Sequence, residues 1–393
     1  MTGAAIPFHR PSIGPRERAA VLEVLDSGWL TMGARTIAFE SAVTAATGAA
    51  HAVAVNSATA ALHLALEALG IGPGDEVVVP TYTFAACGEV VRYLGATPVL
   101  ADVEPRTLML TAETLEAVRT PRTRAAMVVH IAGLMADMAP ILELAGRHDI
   151  AVIEDAAHAL PSSRRGRAAG TAGTAGALSF YATKPVTTGE GGMLLTDDDS
   201  IAERARSMRL HGISRDAWRR YSAAGTWYYE IEEAGFKYNL TDLAAAIGVV
   251  QLERAEELRL GREWVARRYQ AALADGPLAE LVEPPPFPDG DAVHAWHLFM
   301  VRLRNADTER RAAVIDDLAA EGIGTSVHFI PLHLHPYYRR QFGYRPSDLP
   351  VATTEYEREI SLPIYPGLTE PEIASVVDAL SRSVQRRLVP ARA

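Results

Sequence analysis

A single cysteine, Cys87, in 393 residues rules out an intramolecular disulfide and suits a reducing compartment; its neighbours make it a small apolar packing residue near the turn at Phe84. No run of about 18 apolar residues occurs, so a membrane-spanning helix is not expected. The stretch Met1 to Pro15 has no apolar segment long enough for a secretory signal. Excess positive charge is also missing. The formal net charge is −10 and the isoelectric point is near 5.7. A phosphate backbone demands clustered Lys and Arg, so a general nucleic-acid binder is disfavoured. The basic runs Arg164-Arg165-Gly166-Arg167 and Arg219-Arg220 read as solvated loop charges, with a diphosphate contact as the alternative. Neither an internal repeat nor a long disordered stretch is evident. These absences point to a cytoplasmic globular protein.

What is present is ordinary in bulk and informative in order. With 48% hydrophobic residues the chain can bury a substantial core, and its length suggests two or three domains. Short apolar runs alternate with helical periodicities. Strands are expected at Ala52 to Val55, Glu76 to Pro80, Thr97 to Asp102, Ala125 to His130 and Ala151 to Glu154. Helices run between them, to Leu69, through Tyr93, from Ala112 to Val118 and through His148. Such alternation means parallel strands with helices on both faces, an α/β fold. One long helix is expected from Asp242 to about Ala272. The proline cluster Pro284-Pro285-Pro286-Phe287-Pro288 lies near the start of a smaller α+β part, so the division falls at 1–270 and 271–393. In that part Trp296 to Arg304 and Gly324 to Phe329 read as strands, and helices are expected around Thr308 to Glu321 and Glu370 to Arg387.

Lys184 closes the run Ser179-Phe180-Tyr181-Ala182-Thr183-Lys184 and leads into Thr187-Thr188-Gly189-Glu190-Gly191-Gly192, a small-residue turn between two apolar runs. A lysine that holds a carbonyl compound as a Schiff base must sit in a pocket, where burial and nearby charge lower its pKa. An ordinary loop lysine is the alternative. Upstream, Val152-Ile153-Glu154-Asp155-Ala156-Ala157-His158 reads as a buried strand ending in an acid, where open α/β sheets place ligand contacts. The pair makes chemical sense with pyridoxal phosphate, which needs an anion at its ring nitrogen and a lysine for its aldehyde. Its phosphate requires hydroxyls and free N–H groups at a helix start, which Asn56-Ser57-Ala58-Thr59-Ala60-Ala61-Leu62 supplies. A plain helix cap explains that last segment alone equally well, but not the three segments together.

On these segments the chain resembles the sugar-nucleotide aminotransferases of the DegT/StrS family, within the fold type I pyridoxal-phosphate enzymes. Further motifs in the same order are Gly28-Trp29-Leu30-Thr31, Pro80-Thr81-Tyr82-Thr83-Phe84, Gly235-Phe236-Lys237-Tyr238-Asn239-Leu240-Thr241-Asp242, Gly322-Ile323-Gly324-Thr325-Ser326-Val327-His328 and Leu362-Pro363-Ile364-Tyr365-Pro366. The resemblance implies a large domain with a mostly parallel, seven-stranded mixed sheet sandwiched by helices, and a smaller α+β C-terminal domain. It implies that Lys184 carries the cofactor and that Asp155 pairs with the pyridinium nitrogen. It places His158 near the ring hydroxyl and Phe84 on the ring face. Ala58, Thr59 and Ser179 would hold the phosphate, and Asn239 would reach it from a second subunit, so a homodimer is expected. Read without the resemblance, Phe84 and His158 could be core residues and Asn239 a helix cap.

Trp29 and His328 are the expected substrate contacts, and the substrates would be a nucleotide-linked keto sugar and an amino acid, glutamate. Together with Val293-His294-Ala295-Trp296-His297-Leu298-Phe299, the motifs look most like enzymes that aminate a 4-keto pentose or 6-deoxyhexose, the 4-amino-4-deoxy-arabinose-forming aminotransferase in particular. That enzyme has Trp where this chain has Phe84. A 3-keto sugar is the alternative substrate. The related dehydratases replace the lysine with histidine, so Lys184 argues against a lyase, and the intact Lys184, Asp155 and His158 set argues against a non-catalytic regulator. His328, His333 and His335 crowd one stretch, but Pro331 and Pro336 break it and no helical pair with a nearby Glu exists, so no metal is expected.

Overall fold

The computed structural model describes residues 5–213 and 229–389. The pair Arg219 and Arg220 lies outside them. Nine strands fall in the first half of the chain: β1 (His51–Val55), β2 (Glu76–Pro80), β3 (Thr97–Ala101), β4 (Thr123–Val129), β5 (Ala151–Asp155), β6 (Ser163–Arg164), β7 (Arg167–Ala168), β8 (Ala175–Ser179) and β9 (Gly192–Thr196). Seven of them form one sheet in the order β1-β9-β8-β5-β4-β2-β3, with β6 and β7 as a separate hairpin. All seven run parallel except β9, which is antiparallel to both of its neighbours. The strands are almost wholly buried and read as near-continuous apolar runs, as a sheet covered on both faces requires.

This strand order decides where a site can form. Val55 and Ser179 both pair with Gly192, and Ala177 pairs with Asp155. The carboxyl ends of β1, β5 and β8 therefore share one edge with the amino end of β9. An open α/β sheet binds its ligands along that edge.

A second, antiparallel sheet follows, β10 (Val282–Glu283), β11 (Phe299–Leu303) and β12 (Glu359–Leu362), in that order. The helices Thr308–Ala320 and Glu370–Leu388 cover it and supply Val314, Leu318, Val376, Leu380 and Val384 to a separate apolar core. The helix Ala255–Leu273 lends Val265, Tyr269 and Leu273 to the same core.

Three expected elements take another form in the structure. The helix expected from Asp242 to Ala272 is two helices, Asp242–Glu253 and Ala255–Leu273, broken at Arg254. Arg254 turns its guanidinium to Glu17 and to the Ser12 carbonyl, while the apolar stripe continues past the break, so periodicity does not reveal it. The expected strand Gly324 to Phe329 is irregular. Its backbone bonds are split between two ends of the chain, Gly324 N–H to Ile6 at 2.8 Å and Ser326 N–H to Ser361 at 3.2 Å, so no ladder builds. The strand expected at Trp296 to Arg304 is real but shorter, Phe299–Leu303.

Asp242 shows what part of a recognisable motif does for the fold. Its buried carboxylate accepts the N–H groups of Gly33, Arg35 and Thr36 at 2.8, 3.1 and 2.9 Å and the Thr36 hydroxyl at 2.7 Å. It thus caps the helix Ala34–Thr47, whose own N-cap is a glycine without a capping side chain. Asp242→Ala should lower stability by about 3 kcal/mol, since it strands buried donors at a helix start, and denaturant titration measures it.

Candidate active site

Lys184 projects from the β8–β9 connection, where its N–H donates to the Tyr181 carbonyl at 2.9 Å. Bonds from Phe180 N to Gly191 O and from Thr188 N to Phe180 O, both 2.9 Å, staple the base of that loop, with the Thr187 hydroxyl on Phe180 O at 3.1 Å. The lysine side chain is partly buried, and its Nζ makes no hydrogen bond among the described residues. Burial lowers its pKa to about 8, with the Asp155 carboxylate pulling the other way. Lys184 is one of two lysines in the chain, the other being Lys237. That scarcity is a signal in its own right.

Asp155 ends β5. Its Oδ1 accepts the Ala157 N–H at 3.0 Å and its Oδ2 accepts the Cys87 thiol at 3.0 Å. Cys87 is buried as expected, but it is a donor to the acid as well as a packing residue. Burial, then the Asp155 charge, hold its thiol well above the usual range, so it stays protonated and able to donate. The neighbouring Glu154 points to the other side of the strand. Its Oε1 accepts Ala172 and Gly173 N–H groups, both at 2.6 Å, and its Oε2 accepts Gly170 N–H at 3.0 Å. His130 donates to the same carboxylate from Nε2 at 2.7 Å, because its Nδ1 accepts the Ala136 N–H at 3.2 Å. These bonds fix the end of β5 and with it the aim of Asp155.

His158 is buried and kept neutral, its pKa pushed well down by burial and by the Lys184 charge. Its Nδ1 accepts the Ala132 N–H at 3.3 Å, which leaves the hydrogen on Nε2 as a donor. The His297 ring lies 4.3 Å away and the Phe329 ring 5.8 Å. Phe84, at the start of the helix Ala85–Tyr93, is 60% exposed and 5.8 Å from Phe329, so it is a wall of the cleft and not a core residue.

Ala58 and Thr59 open the helix Ala58–Ala68, which Ser57 caps by accepting the Ala60 N–H at 3.1 Å. The N–H groups of Ala58 and Thr59 have no partner among the described residues. Ser179 ends β8 beside Gly192, and Gly192 approaches so closely that a Cβ there would fall 2.3 Å from Ser57 and 2.6 Å from Ala58 N. Only glycine lets these segments converge. Asn239 lies at the same place in its own chain, bridged to Val55, with the Lys237 amine on its Oδ1.

His328 joins the cleft from the second part of the chain. Burial and Lys184 lower its ring to about 4, and Phe8 stacks on it at 5.4 Å. Trp29 is not brought to this group. It lies on the connection between the helices Pro15–Ser27 and Ala34–Thr47, 43% exposed, with its indole N–H on the Met32 carbonyl at 3.1 Å. The three clustered histidines part company: His328 faces Ser361, and His333 lies between Thr81 and Thr353 at 2.8 and 2.9 Å, while His335 precedes the helix Pro336–Phe342. Arg164 and Arg165 pair with Asp289 and Asp137. Sequence reasoning missed His297, Phe329 and the Cys87 contact, which reach Asp155 and His158 only through the fold.

The group fits the cofactor that the sequence suggested. It offers a nucleophilic amine, an acid at a strand end, a neutral imidazole donor, an exposed aromatic face, and free backbone donors at a helix start for an anion.

Comparison with known proteins agrees with the geometry. Residues 11–381 match the family model described as the DegT/DnrJ/EryC1/StrS aminotransferase family. The spore coat polysaccharide biosynthesis protein SpsC of Bacillus subtilis is 47% identical over 377 residues, 95% of this chain and 96% of that one. Among solved structures, the PLP form of the putative sugar aminotransferase Spr1654 of Streptococcus pneumoniae has a TM-score of 0.91 at 30% identity, covering 98% of this chain and 100% of that one. The aminotransferase TlmJ of Streptoalloteichus hindustanus has a TM-score of 0.89 at 34% identity, with the same coverage. This chain belongs to the DegT/DnrJ/EryC1/StrS aminotransferase family, and it is an enzyme with the fold type I architecture.

Proposed function

We propose that this sugar aminotransferase uses pyridoxal 5′-phosphate to move an amino group from glutamate to the 4-keto carbon of a nucleotide-linked pentose or 6-deoxyhexose. The observation that carries the reading is Lys184, an amine held near 8 beside Asp155 at the carboxyl edge of the sheet. The choice of a 4-keto sugar rests on the likeness of the motifs to the 4-amino-4-deoxy-arabinose-forming enzyme. When bound, the cofactor supplies an aldehyde for amines and a ring that accepts the electron pair of a breaking C–H bond.

The residues would divide the work as follows. Lys184 holds the aldehyde, and Asp155, oriented by Cys87 and Ala157, holds a proton on the ring nitrogen. Ala58 and Thr59 meet the phosphate with free N–H groups at the positive end of a helix, and Ser179 adds a hydroxyl. Phe84 covers one ring face, and His158 donates from Nε2 to the ring oxygen. Asn239 meets the phosphate of a second subunit, which makes the working form a homodimer. His328 contacts the sugar nucleotide, and Trp29, which its own chain does not bring to this group, would do so only from the second subunit of the dimer. Displaced from the aldehyde, the Lys184 Nζ both takes and returns a proton near neutral pH, as a general base and acid must. The division into a cofactor-binding part, 1–270, and a smaller part, 271–393, belongs to the same proposal, as does a cytoplasmic setting that keeps Cys87 reduced. No helix among the described residues is long and apolar enough to cross a membrane.

Only the neutral amine attacks an aldehyde. Covalent capture of an aldehyde probe by cofactor-free protein should rise with pH and reach half its maximum near 8. An ordinary lysine would still be rising steeply there. For the sugar, a panel of nucleotide-linked 3-keto and 4-keto sugars offered with glutamate, with product structure read by NMR, decides the ring position. Exclusive amination at C3 would overturn the proposed substrate.

A further inference from the structure

Behind His328 lies a buried carboxyl that the proposed reaction does not use. Glu359 opens β12, and its Oε2 accepts the His328 backbone N–H at 2.9 Å. Its Oε1 lies 2.6 Å from Ser361 Oγ, and Ser361 Oγ lies 2.9 Å from His328 Nδ1. Glu359 and Ser361 are two residues apart in a strand, so both side chains share one face. Reciprocal backbone bonds of 3.2 and 2.8 Å between Ser326 and Ser361 hold the segment before His328 against that strand. The other ring nitrogen, Nε2, has no hydrogen-bond partner among the described residues, and His328 is the histidine of this chain segment that feels the Lys184 charge.

A hydroxyl carries one hydrogen, so between a carboxyl and an imidazole it can donate in one direction only. With Glu359 ionised, Ser361 donates to Oε1 and accepts from Nδ1–H, and Nε2 is left with a lone pair. With Glu359 protonated, Oε1–H donates to Ser361, Ser361 donates to Nδ1, and the hydrogen sits on Nε2. The two states differ by one proton and the ring is neutral in both. A proton arriving at Nε2 moves one hydrogen along each bond, from Nδ1 to Ser361 and from Ser361 to Glu359.

We propose that Glu359 and Ser361 are positioning residues forming a relay with His328, so that one buried carboxyl decides whether Nε2 offers the cleft a lone pair or an N–H. Its relevance to a bound sugar rests on the function proposed above; the relay itself does not. Burial raises the Glu359 carboxyl to about 8, against its two hydrogen bonds and the charges of Arg311 and Arg302, while burial and Lys184 hold the His328 ring near 4. Between those limits the extra proton belongs to the carboxyl. Arg302 faces it from β11 and Arg311 from the helix Thr308–Ala320. Glu355, paired with Arg302 at 3.5 Å, and Tyr82 complete the charged and titratable surroundings. On the cleft side the ring meets Lys184, His158 and His297.

The test is nitrogen NMR of the holoenzyme labelled with ¹⁵N-histidine, with the His328 signals assigned by difference from His328→Gln, from about pH 6 to about pH 9. The expected result is a single step near 8 in which the hydrogen passes from Nε2 to Nδ1 without protonation of the ring. Glu359→Gln keeps the shape, with a carbonyl for the His328 N–H and an amide N–H fixed toward Ser361. It should hold the hydrogen on Nε2 throughout and remove the matching step from kcat/KM for the keto sugar. Ser361→Ala should also abolish the NMR step. A wild-type tautomer that stays constant, or a step that persists in Glu359→Gln, overturns the relay. A normal step in a protein that aminates no keto sugar leaves the relay standing and removes the functional reading, whereas amination without the step does the reverse.

Discussion

Lys184→Ala should lower transamination by at least about three orders of magnitude and abolish the adduct that borohydride traps between protein and cofactor. The expectation has two physical sources. The substitution removes the amine that would hold the aldehyde, and it removes the group whose Nζ would shuttle the proton. Lys237 provides the internal control, since it is exposed and engaged with Asn239. Mass spectrometry of the reduced wild-type protein should place the whole label on the peptide carrying Lys184. Label on Lys237, or a substituted enzyme with ordinary turnover, would end the assignment. The variant should stay folded. Lys184 makes no side-chain hydrogen bond among the described residues, and removing a cation from a partly buried site relieves a desolvation cost.

Asp155→Asn should cost about two to three orders of magnitude in turnover with a small change in shape. An amide cannot balance a protonated ring nitrogen, so the ring loses its strength as an electron sink. Cofactor affinity should weaken as well. The same change bears on Cys87, whose thiol is held high first by burial and then by the Asp155 charge. Equilibrium dialysis of the cofactor and single-turnover kinetics with glutamate separate binding from chemistry. A variant with full turnover would show that some other group carries the ring's proton.

Much of the fold was readable from the chain, and the reason is specific. In a parallel sheet buried on both faces each strand is a short apolar run, and the residues that matter follow directly at its end, as Asp155 follows Val152-Ile153 and Ser179 follows Ala177-Leu178. Lys184 stood out because its loop is built of small and hydroxyl residues, which staple the loop to its own backbone. What stayed hidden is what distance in sequence conceals. Glu359 and Ser361 look like any strand residues until Ser326 pairs beside them, and His297 looks like a core histidine until its ring meets His158. Cys87 read as packing because the acid it donates to is Asp155, 68 positions further along the chain. Its acid arrives from β5. The kink at Arg254 escaped because hydrophobic periodicity reports faces, not the direction of an axis.

The place of β1 in the sheet bears on how the protein is made. Its one sheet neighbour is β9, so a nascent chain leaves the ribosome with an apolar strand, and the helix start proposed to meet the phosphate attached to it, long before their partner is synthesised. Until then neither edge of this strand has a sheet partner, and an unpaired apolar strand is the usual seed of aggregation. In a culture where yield is low, supplying a precursor of pyridoxal 5′-phosphate should therefore help only modestly: the cofactor would bind a finished sheet and stabilise the folded state alone, whereas a chaperone that shields the early edge acts before folding is complete.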